Sequence, residues 1–177
     1  MNKRKIILYV IAVIILFLFP AYAVFQNYDL LINGEEYLFE VEAFDPYDMF
    51  RGKYLYINFK ENEVKSERME TENEGHNNYY VEIKRNKDGF AYFDNVTYKK
   101  PKNIKNYYKT TGYYYKYSKS HRISTPTKYF MNEKKSVNAE KVYEDNLENA
   151  YVKVRVKNGR MVVVGVYVND ILIDSYK

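Results

Sequence analysis

The chain has 177 residues, no cysteine, and 28 Lys or Arg against 23 Asp or Glu, which gives a formal net charge of +5. This length suits a single domain, and the lack of cysteine excludes disulfides, thiol nucleophiles and cysteine-ligated metals. Three positive charges belong to Lys3, Arg4 and Lys5. The rest of the chain is therefore close to neutral, and binding of polyanions by the whole domain is not indicated.

An apolar segment follows these basic residues. Residues 6–28 carry no charge, and Ile, Leu, Val and Phe dominate from Ile6 to Phe19. About 20 apolar residues can cross a hydrocarbon core of roughly 30 Å. Basic residues stay on the cytoplasmic side, and acidic residues come first after the segment. We therefore expect residues 1–28 to be a single-pass signal anchor in the cell membrane, with its N-terminus in the cytoplasm.

A cleaved secretory signal is the other interpretation of this segment. Ala21-Tyr22-Ala23 has the small-residue pattern of a signal-peptidase site and follows Pro20. The apolar and aromatic residues continue to Tyr28, however, as they do in an uncleaved span with an interfacial aromatic residue. Both interpretations export residues 29–177, which we expect to form one β-rich extracytoplasmic domain.

Apolar residues alternate along much of the first half of this domain. In the first segment Tyr37, Phe39 and Val41 share one face, as in a half-buried strand. Asn86-Lys87-Asp88-Gly89 has the composition of a hairpin turn, and the polar residues 62–78 are typical of an exposed loop. The predicted strands are Glu36–Phe44, Tyr54–Lys60, Tyr79–Arg85 and Phe90–Val96.

The second half contains one predicted helix and a strong hairpin signal. Basic residues 99–109 are expected to cross between two sheets before a strand at Gly112–Tyr117. Asn132–Asn149 has an apolar stripe at helical spacing, and Asn158-Gly159 separates two alternating segments. The predicted strands here are Tyr151–Lys157, Arg160–Val168 and Ile171–Ile173. The expected fold is mainly β, with an N-terminal transmembrane helix followed by an antiparallel β-sandwich or open β-barrel and one packed α-helix.

One segment, D-P-Y-D-M-F-R-G-K-Y-L-Y-I-N-F at residues 45–59, resembles the GDYXXLXY proteins, a family named for a short motif. Lys53 replaces the Asp of that motif and inverts its charge, and Asn132 stands where a Pro is usual. The resemblance extends from Leu30 to the end and implies a bacterial, envelope-associated membrane protein, sometimes joined to multi-spanning domains. It implies no established activity. The matching positions are Asp45, Pro46, Asp48, Arg51, Gly52, Tyr54, Ile57 and Phe59.

The motif has a structural interpretation that needs no catalysis. Arg51 is placed to pair with Asp45 or Asp48 across a turn, and Gly52 permits a backbone conformation that other residues resist. The apolar residues that follow the turn alternate, so one face of the strand would enter the core. We therefore expect a structural role for the motif.

Candidate catalytic and metal-binding residues are few. Ser120 and His121 are adjacent, so a strand would direct them to opposite faces, and no G-x-S-x-G is present. Neither His has a partner at a recognised zinc-ligand spacing. A signal-peptidase-like Ser–Lys hydrolase also combines an anchor with an exported β-domain, but no Ser can be assigned to that role. We expect no enzyme activity, no metal and no cofactor.

Tyrosines are interspersed with basic residues between residues 99 and 122. Such a segment can stack on rings and neutralise phosphates, although an ordinary strand with half-buried Tyr and solvated Lys has the same composition. Outside the cytoplasm the expected ligand is an anionic wall polymer or lipid head groups rather than nucleic acid. The candidate binding residues are Lys102, Lys105, Lys109, Tyr113, Tyr115, Lys116 and Arg122.

Taken alone, the sequence favours a membrane-anchored extracytoplasmic interaction module, accessory to a multi-spanning membrane protein. A binder of anionic polymer or lipid through residues 99–122 is the second hypothesis. A hydrolase with an unrecognised site is the third.

Overall fold

The computed structural model describes residues 3–42, 54–65, 75–102, 104 and 106–176. The apolar N-terminal sequence forms helix α1, Lys3–Asn33, with Pro20 inside it. Between Ile7 and Asn33 this helix contains an 18-residue stretch with a mean hydropathy of 2.7, and it is long and apolar enough to cross a membrane. It ends at Asn33, and the N–H of the next residue, Gly34, donates to the Leu30 carbonyl at 3.0 Å.

Twelve strands and a second helix follow among the described residues. The first six strands are β1 (Glu35–Glu42), β2 (Tyr54–Tyr56), β3 (Asn58–Phe59), β4 (Glu63–Lys65), β5 (Gly75–Arg85) and β6 (Ala91–Thr97). The others are β7 (Tyr107–Tyr115), β8 (Ser120–Ile123), β9 (Lys128–Phe130), β10 (Ala150–Lys157), β11 (Arg160–Val168) and β12 (Ile171–Leu172). Helix α2 spans Glu133–Asp145, and 3₁₀ turns lie at Leu147–Asn149 and Ile173–Ser175.

The strands form two five-stranded antiparallel sheets and one separate pair. One sheet has the order β12-β11-β10-β1-β3, the other has the order β4-β8-β7-β5-β6, and β2 pairs with β9. Together they make a nearly closed, barrel-like structure. The mainly antiparallel β fold with a packed helix is thus confirmed, and the open barrel describes it better than a sandwich.

A single core fills the space between the sheets. Tyr37, Phe39 and Val41 of β1 are buried in it, which confirms the alternation seen in the sequence. The Phe39 ring lies 5.1 Å from the rings of Phe59 and Phe93. Helix α2 adds Ala139 and Tyr143, which are both almost fully buried. Its apolar stripe therefore faces the core, as helical periodicity predicts.

Both predicted hairpins are present. The carboxamide oxygen of Asn86 accepts the N–H groups of Asp88 and Phe90, and Gly89 has φ 88°. In the second hairpin, between β10 and β11, Asn158 has φ 52° and Gly159 has φ 79°. Gly and Asn tolerate this left-handed region better than other residues.

The tip of the β10–β11 hairpin also joins the two sheets. The Lys109 N–H donates to the Gly159 carbonyl at 2.7 Å, and Tyr108 and Gly159 form a parallel bridge. A Cβ at Gly159 would lie 2.7 Å from the Tyr107 ring. The absence of a side chain at Gly159 therefore lets the hairpin tip approach β7.

The prediction of one strand over Tyr54–Lys60 is wrong. The chain forms β2 and then β3, which belong to different sheets: β2 pairs with β9 and β3 pairs with β1. Between them the Ile57 N–H donates to the Thr127 carbonyl at 2.9 Å. Leu55, Ile57 and Phe59 are all buried. The alternation of apolar and polar residues therefore continues from β2 into β3, although the two strands belong to different sheets.

Three other boundaries also differ from the predictions. Within the supposed loop 62–78, β4 pairs with β8, and β5 begins at Gly75 and pairs with β7. Strand β7 begins at Tyr107 instead of Gly112, and the preceding segment passes β5 within one sheet rather than between sheets. The predicted helix Asn132–Asn149 is shorter, and a 3₁₀ turn forms its last residues. Polar strand ends were missed because cross-strand pairing, rather than hydrophobic periodicity, makes them strands.

Candidate functional site

Three of the predicted binding residues lie together on the outer face of the second sheet. Tyr113 and Tyr115 are on β7, and Arg122 on β8 is directly opposite Tyr113. The two tyrosine rings are 4.8 Å apart with an interplanar angle of 52°. Both rings are half-buried, and Arg122 is exposed. An aromatic surface and a cation are therefore adjacent.

These side chains line an open groove of about 530 Å³, which we call the outer groove. Its other side is formed by side-chain amides and hydroxyls from β3 and from the segments after β3 and β8. The sequence does not indicate these residues, since nothing in their spacing connects them with the tyrosines. They are Asn58, Asn62, Ser124, Thr125 and Thr127.

Hydrogen bonds hold the groove walls in place. The Ile123 N–H donates to the Asn62 carbonyl at 2.7 Å. The Asn62 amide donates to the Asn58 side-chain oxygen at 3.3 Å, and the Asn58 amide donates to Glu42 Oε1 at 2.6 Å. The polar groups of this wall are therefore oriented before any ligand arrives.

The charge of the groove comes mainly from Arg122. Glu63 of β4 is its cross-strand neighbour, but among the described residues no ion pair involves Arg122. Lys109 is exposed on the same face of β7, roughly 13 Å from Tyr113 at about 3.3 Å per residue. Lys102 and Lys116 are also exposed, and none of these three lysines lines the groove. Lys105 lies outside the described residues.

The arrangement provides recognition chemistry. Aromatic faces can stack on rings, amides and hydroxyls can bind ligand hydroxyls, and a guanidinium can bind a phosphate or carboxylate.

Elsewhere, the Ser120 hydroxyl lies 2.7 Å from the Ser118 hydroxyl. The His121 ring is fully buried, 4.9 Å from the rings of Tyr79 and Tyr114. His121 thus contributes to the core.

The family-like motif is only partly visible. Asp45, Pro46, Asp48, Arg51 and Gly52 lie outside the described residues. Ile57 and Phe59 are almost fully buried. The Tyr54 ring lies 5.7 Å from the rings of Tyr56 and Phe130, and the Lys128 ammonium is 4.6 Å from its centre.

A second polar site joins the C-terminal end of α1 to the β10–β11 hairpin. Lys157 pairs with Asp29 at 2.7 Å. Arg155 donates to the carbonyls of Leu31 and Ile32, the latter at 2.8 Å, and so caps the helix end. Leu30 is buried against the domain. The helix is thus attached to the domain by both apolar and polar contacts.

A cleft of about 370 Å³ lies at this attachment, and we call it the junction cleft. Arg160 stands at its edge and donates to the side-chain oxygens of Gln26 (3.0 Å) and Asn27. Other lining residues are Tyr22, Phe25, Lys157 and Asn158. The sequence does not indicate this site, because its two halves are more than 100 positions apart in the chain.

The outer face of β10 continues the basic surface away from the cleft. Lys153 pairs with Glu36 at 2.9 Å, and Arg155 lies 3.8 Å from the same carboxylate. The hydrogen bond that the Lys153 ammonium donates to the Glu36 carboxylate raises the pKa of Lys153 above its ordinary value. These pairs leave Arg160 as the cation at the hairpin whose described partners are all neutral.

The GDYXXLXY protein family model matches residues 16–166. This range begins within α1 and includes both the outer groove and the junction cleft. Comparisons with curated proteins and with solved structures gave no match. The family match confirms the resemblance drawn from residues 45–59, and the chain belongs to the GDYXXLXY protein family.

Proposed function

We propose that the protein is a membrane-anchored interaction module and an accessory subunit of an integral membrane protein. Helix α1 spans the bilayer and holds the β-domain outside the cytoplasm. The observation that supports this most is the difference in side-chain exposure along α1. Its apolar side chains are exposed, for example Leu16 at 70% and Phe25 at 67%, whereas the domain covers Leu30.

The charges at the two ends of α1 support the orientation. Lys3, Arg4 and Lys5 are the first three residues of the helix, and Asp29 is the first charged residue after them. Basic residues favour the cytoplasmic side, so the β-domain follows on the other side. An exposed apolar helix in water would be unfavourable, because about 25 cal/mol is lost for each Å² of apolar surface left in contact with water.

The attachment of α1 supports a role for the domain at the membrane surface. Arg155, Lys157 and Arg160 bind the last two turns of the helix. The domain therefore stays next to the bilayer and does not move freely on a linker. A partner that contacts both the lipid-facing side of α1 and the domain would meet one continuous surface.

Mild detergent extraction followed by quantitative mass spectrometry tests the accessory role. We expect one multi-spanning membrane protein at similar abundance, retained at high salt. A variant in which an unrelated apolar span replaces residues 6–21 keeps the junction but changes the lipid-facing surface, and its recovery of the partner should fall several-fold. Recovery of the protein alone would contradict the accessory role.

Orientation is measured on the same cells. The chain has no cysteine, so single substitutions can be labelled with a membrane-impermeant maleimide. We expect Ser118→Cys, in the exposed turn after β7, to react in intact cells. Asn2→Cys should react only after permeabilisation. The reverse pattern would contradict the proposed topology.

The outer groove favours a second candidate function, the binding of an anionic wall polymer. Arg122 beside Tyr113 and Tyr115 combines a cation with aromatic surface, and amides form the opposite wall. Poly(glycerol phosphate) carrying sugar substituents presents both phosphates and rings. We expect it to bind the full chain and neutral dextran not to bind.

Substitutions separate this binding from general electrostatics. Arg122→Glu and Tyr113→Ala should each weaken binding of poly(glycerol phosphate) by about tenfold, because each removes about 1–2 kcal/mol of stacking or charge-assisted bonding. Lys141 is exposed on α2 and does not line the outer groove. Lys141→Glu therefore makes the same charge change as Arg122→Glu at a distant position in the chain. Equal losses for Arg122→Glu and Lys141→Glu would contradict a specific role for the groove.

A further inference from the structure

We propose that the junction cleft binds the phosphate of an anionic lipid from the leaflet at the C-terminal end of α1. The proposal rests on the proposed function in one respect, since it requires α1 to span the bilayer. It assigns a lipid site to the β10–β11 hairpin, away from the outer groove. Position, charge and shape each support it.

The position of the cleft along α1 matches the level of lipid phosphates. Residues 6–25 contain no charged or amide side chain, and at about 1.5 Å per residue they cover roughly 30 Å, the thickness of the hydrocarbon core. Gln26, Asn27 and Asp29 then lie in the head-group region. Arg160 contacts Gln26 and Asn27 directly, so the hairpin reaches this level too.

The charges in the cleft suit one phosphodiester. Lys157 and Arg160 provide two positive charges, and Asp29 provides one negative charge, which is paired with Lys157. Arg160 is held by the neutral amide oxygens of Gln26 and Asn27. These contacts orient the guanidinium without neutralising it, and a guanidinium binds phosphate through parallel N–H···O bonds. One monoanionic phosphate would balance the remaining charge.

The shape of the cleft suits an amphipathic ligand. Tyr22 and Phe25 line the side that faces the hydrocarbon, whereas Asn158 and Arg160 line the side towards the domain. The volume of about 370 Å³ lies within the range of ligand pockets. A lipid head group could place its phosphate at Arg160 and the beginning of its acyl chains along Phe25.

The hairpin is fixed firmly enough to serve as one wall of a site. Gly159 is joined to β7 through the Lys109 N–H at 2.7 Å. Arg155 binds the Ile32 carbonyl at 2.8 Å. A ligand between α1 and the hairpin therefore meets walls that are positioned by the folded protein, and little ordering remains to oppose binding.

Fluorescence quenching can measure the lipids next to the cleft. The chain has no Trp, so Tyr28→Trp provides a single reporter at an exposed position beside Asp29 that does not line the cleft. The full chain is placed in nanodiscs of phosphatidylcholine with a minor fraction of phosphatidylglycerol. Bromine is carried on the acyl chains of only one lipid in each sample.

We expect quenching by brominated phosphatidylglycerol to indicate about fivefold local enrichment over its bulk fraction, the effect of one favourable cation near an anionic lipid. Arg160→Gln should abolish this enrichment, and Arg160→Lys should retain part of it. Lys141→Gln removes the same charge from α2 and should leave it unchanged.

Several results would overturn the proposal, and one of them separates it from the proposed function. Quenching in proportion to bulk composition, or an equal effect of Arg160→Gln and Lys141→Gln, would remove the lipid site while leaving the anchor intact. Loss of enrichment on adding millimolar inorganic phosphate would assign the cleft to a soluble anion. Absence of quenching by either brominated lipid would instead show that α1 is not in the bilayer.

Discussion

Replacing Phe59 by Ala is expected to lower the free energy of unfolding by about 3–5 kcal/mol. Phe59 lies in the short strand β3 at the end of the family-like motif, and none of it is exposed. Its ring contacts Phe39, whose ring also contacts Phe93. Removing the ring would therefore leave a cavity that the barrel can close only in part. A loss of this size is a large fraction of the stability of a typical domain.

Urea unfolding of the full chain in detergent micelles, followed by the near-ultraviolet circular dichroism of tyrosine, measures this loss. Phe130→Ala is the matched control, because Phe130 is 70% exposed and contacts the Tyr54 ring at the surface. We expect it to cost about 1 kcal/mol or less. Similar costs for the two substitutions would contradict the structural interpretation of the motif's last position.

The second large effect concerns alkaline pH and Tyr143. Burial raises the pKa of Tyr143 above its ordinary value, because the phenolate would lose its hydration in the core. The unfolded chain releases this proton near pH 10, while the folded chain keeps it. The contribution of Tyr143 to the free energy of unfolding is therefore fully present below about pH 10. Above that pH it falls by about 1.4 kcal/mol per pH unit until Tyr143 also ionises in the folded protein.

Tyr143→Phe removes this contribution and tests it. The hydroxyl of Tyr143 has no hydrogen-bond partner among the described residues, so at pH 8 the substitution should leave stability unchanged or raise it by up to about 1 kcal/mol. At pH 11 the variant should exceed the wild type by about 1.4 kcal/mol more than at pH 8. A loss above about 1 kcal/mol at pH 8 would show that the hydroxyl is hydrogen-bonded.

Candidate binding residues were predictable where one segment carries them. The mixture of tyrosines and cations in residues 99–122 indicated one wall of the outer groove, and strand periodicity places Tyr113 and Tyr115 on one face. The other wall comes from Asn58, Asn62 and the residues after β8. These are common surface residues, and only the pairing of β8 with β4 and the bend after β2 bring them to the tyrosines.

The junction cleft could not be predicted from the sequence for a different reason. Each of its halves has an ordinary explanation when considered alone: Gln26 and Asn27 resemble the polar end of a membrane span, and Arg160 resembles the exposed end of a hairpin. Their contact depends on how α1 lies against β10 and β11. Sequence periodicity describes one element at a time, so it cannot indicate contacts between elements that are distant in the chain.

By itself, the sequence determined the apolar N-terminal helix, the mainly antiparallel β class, the two hairpin turns and the family, since each depends on local patterning or a short motif. Only the tertiary structure decided the barrel-like closure, the division of residues 54–60 between two sheets, and the strands β4, β8 and β9. The physical reason is that short polar strands are stabilised by hydrogen bonds to distant partners. The outer groove and the junction cleft arise from the same long-range pairing.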